Sequence, residues 1–165
     1  MAEPQATTIP DPPARTQPPV VGPAHFKMTS DLDGVYLWIG PTGAASHVDS
    51  QWDSTFGGDA AIVRIREHEA LGAIGATFGG SLWTVRGGGR LWLDALVGTP
   101  IAGHMVGLSA GPIMELAQLA HPRAGVSIGA WGFAGVTPFA RVGAVQDLGM
   151  FAEIGVHLAL PALRR

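Results

Sequence analysis

The chain is expected to be all-β: an eight-stranded antiparallel up-and-down β-barrel behind a disordered, proline-rich N-terminal tail. Three observations predict this. Apolar residues recur with a period of two in segment after segment, which puts successive side chains on opposite faces of a strand. Only 14% of the 165 residues are charged, yet no stretch holds the roughly 18 consecutive apolar residues that a membrane-spanning helix needs. The alternating segments number eight and their connections are short, which makes sequence neighbours antiparallel. Eight is also the strand number at which side chains just fill a closed barrel.

The polarity of the alternation is inverted. Between Gly125 and Pro161 one parity is aliphatic: Val126, Ile128, Ala130, Ala140, Val142, Ala144, Ala152, Ile154, Val156 and Leu158. The other parity holds Ser127, Gly129, Trp131, Phe133, Phe139, Arg141, Gly143, Glu153, Gly155 and His157. A half-exposed soluble sheet sets its charges opposite its core. Here the charges share a face with the largest aromatics and with glycine. That mixture suits the inside of a narrow barrel and leaves a smooth aliphatic wall outside.

In chain order, residues 1–30 carry seven of the 13 prolines. With no apolar period they cannot bury enough surface to offset their ordering entropy, so a tail precedes a barrel domain at 31–165. Strand one spans 34–46, with Val35, Leu37 and Ile39 outward and Tyr36 and Trp38 inward. A polar connection over 49–53 leads to strand two, 56–66, where Ala61, Val63 and Ile65 alternate with Ile62, Arg64 and Arg66. The two arginines are assigned to the lumen. Strand three, 71–85, turns Gly75, Thr77, Gly79, Ser81 and Trp83 inward. The run Arg86-Gly87-Gly88-Gly89 reads as a hairpin turn, since glycine reaches positive φ freely. Strand four, 90–98, opposes Arg90, Trp92 and Asp94 to Leu91, Leu93, Ala95 and Val97. Strand five, 104–116, opposes Gly107, Ser109, Gly111 and Glu115 to Val106, Leu108, Ala110 and Met114. Thr99-Pro100 is expected to break the chain before strand five, and His121-Pro122-Arg123 to turn it into strand six. Thr137-Pro138 and Asp147-Leu148-Gly149 then separate strands six, seven and eight.

The expected lumen therefore holds a polar network of Arg64, Arg66, Arg90, Asp94, Glu115, Arg141, Glu153 and His157, with Trp38, Trp83, Trp92 and Trp131 among it. Buried charges need partners, so arginines and carboxylates on neighbouring strands are expected to satisfy one another. This pattern, over roughly residues 34–161, resembles the small eight-stranded outer-membrane β-barrel proteins, whose interiors are plugged by Arg/Glu networks. The resemblance implies an outer-membrane location, lipid as the partner of the outer wall, no continuous pore, and a role in anchoring or envelope structure. Residues after Met1 show neither a basic nor an apolar signal region, and Ala2-Glu3-Pro4 reads as the start of a mature chain. Most aromatics fall on the inward parity, which leaves a second reading open: a self-assembling subunit that buries its apolar wall in a homo-oligomer.

A net charge of −3, with Lys27 the only lysine, offers no electrostatic footprint for nucleic acid. Cysteine is absent, and the six histidines lack metal-ligand spacing, so neither metal nor cofactor is expected. One motif points to a different class. Gly107-Leu108-Ser109-Ala110-Gly111 matches the nucleophile elbow of serine hydrolases, and Asp147 and His157 follow in triad order. Residues 113–120 would then be the helix after the elbow. The lack of other strand-helix units argues against a hydrolase, and the chain is expected not to be an enzyme.

Overall fold

A computed structural model of the protein describes residues 33–117 and 121–165. The expected tail lies outside the described residues. These contain nine strands and no helix: β1 (Gly34–Val48), β2 (Gln51–Ile65), β3 (Ala73–Trp83), β4 (Gly89–Ile101), β5 (His104–Ala117), β6 (His121–Phe133), β7 (Thr137–Val145), β8 (Gly149–His157) and β9 (Leu160–Arg164). Strands β1 to β8 pair antiparallel in sequence order, and β1 pairs with both β2 and β8, so the sheet closes as an eight-stranded up-and-down barrel. Strand β9 continues the path of β8 along the first half of β1, with a register shift between Leu37 and Trp38. Pro161, which has no N–H to give the ladder, falls at that shift.

Two-residue turns set the register. Asp49 and Ser50 both have positive φ, as do Ala102 and Gly103, the left-handed pair whose twist matches that of the flanking strands. The near rim is where β1 begins and β9 ends, with connections 66–72, 102–103 and 134–136; the far rim carries connections 49–50, 84–88 and 146–148.

The two faces differ as the alternation requires. Ile62, Phe78, Leu93, Ile128, Val142 and Ile154 stand exposed on the outer wall, while Arg90, Asp94, Glu115, Arg141 and Glu153 are buried inside. The inward glycines have a steric role. Gly79 lies opposite Trp92, Gly107 opposite Trp131, Gly143 opposite Phe151 and Gly155 opposite Phe139 in the strand register. A Cβ at Gly107 would lie 2.6 Å from the Trp131 ring, and one at each of the other three would overlap its partner's ring. Each of these four rings lies across a space that only glycine leaves free.

Strand two is a correction. It begins at Gln51, not near residue 56, and its buried residues are Asp53, Thr55, Ala61 and Val63. Arg64 is exposed on the outer wall between Val35 and Ile74. Arg66 lies past the strand end and pairs at 2.6 Å with Glu69. Neither belongs to the lumen. The reason is the turn: two residues at 49–50 pair Tyr36 with Val63, and directly opposed residues share a face. Tyr36 inward therefore forces Val63 inward and Arg64 outward. Three further breaks are absent from the structure. Thr99 and Pro100 lie within β4, His121 to Arg123 within β6, and Thr137 and Pro138 within β7.

Candidate functional site

The lumen is the enclosed polar space of the molecule, and its two halves are built differently. In the far half Arg90 reaches across the barrel. Its Nε donates to Glu115 Oε2 at 2.9 Å, one Nη1 contact is an ion pair with Glu153, and Ser46 Oγ lies 3.4 Å from the same nitrogen. Trp83 Nε1 donates to the other oxygen of Glu115. Arg141 donates to Glu153 Oε1 from Nε at 3.1 Å and Nη2 at 2.7 Å. The guanidinium groups also stack on rings, Arg90 at 4.2 Å from Phe151 and 4.7 Å from Trp83, Arg141 at 4.7 Å from Trp92. Val48, Ile113, Val145 and Phe151 pack with Trp83 and Trp92 around the network. This half is a plug of shared ion pairs under a ceiling of apolar side chains.

The far rim is tied over it. Asp53 accepts from the backbone N–H groups of Ser54, Val85 and Arg86 and from the Thr84 hydroxyl. Arg86 lies 3.5 Å from Asp53 and lies over Trp83 at 3.8 Å.

The near half is looser. Asp59, Asp94, Ser109, Thr137 and His157 line a cavity of about 50 Å³ with Trp38, Trp92, Trp131 and Phe139. Thr137 and His157 are directly opposed on β7 and β8, and the His157 ring stacks on Phe139 at 4.3 Å. His157 Nδ1 comes within 3.3 Å of Asp59 Oδ1 but is not aligned for a hydrogen bond. Asp94 Oδ2 is 3.8 Å from Arg141 Nη1, too far for a direct bond. Among the described residues three buried side-chain atoms lack a hydrogen-bond partner: Asp94 Oδ1, Thr137 Oγ1 and His157 Nδ1. Each such atom costs about 1–3 kcal/mol when nothing satisfies it.

Of the residues assigned to the lumen from sequence, the structure brings Arg90, Glu115, Arg141 and Glu153 into one network and sets Asp94 at its edge. His157 lies toward the near rim. Trp83, Trp92 and Trp131 are buried inside, and Trp38 is half-buried there. Asp53, Asp59 and Thr137 are lumen residues that the sequence reading missed. Once strand two is phased from its turn, Asp53 and Asp59 share a parity with Val63.

The hydrolase constellation does not assemble. Ser109 sits in mid-strand, paired with Leu96 and Gly129, rather than on a strand-to-helix turn, and residues 113–117 extend β5. Asp147 lies on the far rim, ten residues from His157 along β8, or about 30 Å at strand rise. Among the described residues no group of three His, Asp or Glu side chains is placed to hold a metal ion. No protein-family model, no curated protein and no solved structure matches this chain.

Proposed function

We propose that the protein is a transmembrane β-barrel of an outer membrane, plugged rather than open, with a structural or anchoring role in the cell envelope and no catalytic step of its own. One observation carries this reading: large aliphatic side chains stand exposed on the outside of all eight strands, while the buried ion pairs are inside. Isolated exposed apolar residues are ordinary, but a continuous apolar wall of this extent is a surface made to be covered. The eight strands run from 9 to 15 residues, which meets the roughly 9–11 residues that a tilted strand needs to cross the hydrocarbon. Arg64, at the near-rim end of β2, and His47, at the far-rim end of β1, are outward polar residues at the two edges of the wall, where a long side chain reaches headgroups.

One observation favours a second reading. Lipid-embedded barrels carry aromatic girdles at both interfaces, whereas among the described residues the exposed aromatics are Trp52, Phe56 and Phe78. A subunit that buries its wall against other copies needs no girdle. Refolding from urea separates the two. The membrane reading expects a β-sheet circular dichroism spectrum only with detergent or lipid, and faster gel migration before boiling than after. A folded, assembled protein in plain buffer would overturn it in favour of the oligomer.

A further inference from the structure

The near half of the lumen carries more than a static plug requires. Its cavity of about 50 Å³ has room for a few water-sized groups, at about 10–15 Å³ each. All three partnerless buried atoms belong to residues that line it. Asp94 is only 4% exposed and Thr137 8%, so bulk water does not satisfy them.

The charges around the cavity select the occupant. Arg141 is committed to Glu153 through two hydrogen bonds, which leaves one Asp94 oxygen open. Asp59 adds a second carboxylate, hydrogen-bonded by Thr77 at 3.3 Å. The walls are the rings of Trp38, Trp92, Trp131 and Phe139; ring faces attract cations, and Arg141 already lies over Trp92 while His157 stacks on Phe139. An anion would meet two carboxylates, and the one guanidinium in the lining, Arg141, is already held by Glu153. A metal ion would need a ligand group that the described residues do not provide. A primary ammonium has three N–H donors, as many as there are open atoms.

The cavity shares a wall with a second, outer space. Trp38 belongs both to its wall and to the wall of a vestibule of about 520 Å³ at the near rim, where Tyr36, Met105 and Phe133 are its neighbours. Trp38 stacks on Phe133 with centroids 5.2 Å apart.

We propose that the near half of the lumen is a binding site for a small primary ammonium ion, held by Asp94, Thr137 and His157, with its alkyl group directed past Trp38 and Phe133 toward the near rim. The site rests on the barrel interior and is independent of what covers the outer wall.

Tryptophan fluorescence tests it, because three indoles form the cavity wall. The folded full chain is titrated at pH 8 with methylammonium chloride, against sodium chloride at equal ionic strength, methanol and sodium acetate. The expected result is a saturable change with methylammonium alone. Half-saturation moves up at least tenfold in Asp94→Asn and several-fold in Thr137→Val, both close to isosteric. Circular dichroism checks that each variant folds, and Thr137→Val carries the test if Asp94→Asn does not. A cavity that holds only water gives methylammonium the same response as sodium chloride, which overturns the proposal. Saturation by acetate or methanol overturns it too, as does an isotherm unchanged in the folded variants.

Discussion

The far and near halves of the lumen use the same residue types to opposite ends. In the far half Arg90 is bonded to two carboxylates, and Trp83 supplies a donor to one of them. In the near half Asp94, Thr137 and His157 line a cavity, and each has a buried atom without a hydrogen-bond partner. A buried polar network is rigid when complete and costly when broken; an incomplete one leaves groups ready for something else. The contrast separates the part of the lumen that holds the barrel closed from the part that can be altered or occupied without opening it.

The largest expected effect is therefore in the far half. Arg90→Ala leaves Glu115 and Glu153 facing each other without their shared cation, and unfolding in denaturant is expected to show a loss of about 3–5 kcal/mol. Glu115→Ala is expected to destabilise in the same direction, because it leaves the Trp83 N–H without an acceptor and Arg90 with Glu153 as its one carboxylate. Next come the glycine seats. Gly107→Ala drives a methyl group into Trp131 and into the backbone of β4, so a loss of about 1–3 kcal/mol is expected from overpacking, with a shifted tryptophan emission maximum. In the near half Thr137→Val removes a hydroxyl that has no partner, and the same unfolding measurement is expected to give a change near zero or a slight gain. Arg64→Gln is expected to change stability by less than about 0.5 kcal/mol. A multi-kcal loss there would return Arg64 to the lumen and undo the phasing of β2.

How much of this was legible in sequence depends on which force sets each position. Strand four alternates so regularly that Arg90, Trp92 and Asp94 fall on one face from parity alone, and their partners on β5 and β8 follow from the same rule. Strand two does not yield to parity, because its inward face is itself apolar at Ala61, Val63 and Ile65, beneath Trp131. Only the two-residue turn at 49–50 phases it, and turn length is poorly marked by Asp49-Ser50-Gln51. The glycine seats were visible as glycine on the aromatic parity, but not as pairs, since pairing needs register. The open atoms at Asp94, Thr137 and His157 could not be read at all: whether a carboxylate oxygen finds a donor depends on angles between side chains from β4, β7 and β8.

The barrel carries its buried ion pairs in the lumen and an apolar face outside, and we propose that this face meets lipid. The chain has no cysteine, so single cysteines can be placed along β6 and spin-labelled with the protein in lipid bilayers. Labels at Val126, Ile128 and Ala130 are expected to collide with oxygen far more than with a water-soluble nickel chelate, while labels at Ser127 and Gly129 are immobile and shielded from both. Equal access of the chelate to the outer positions, or no alternation along the strand, would contradict the account.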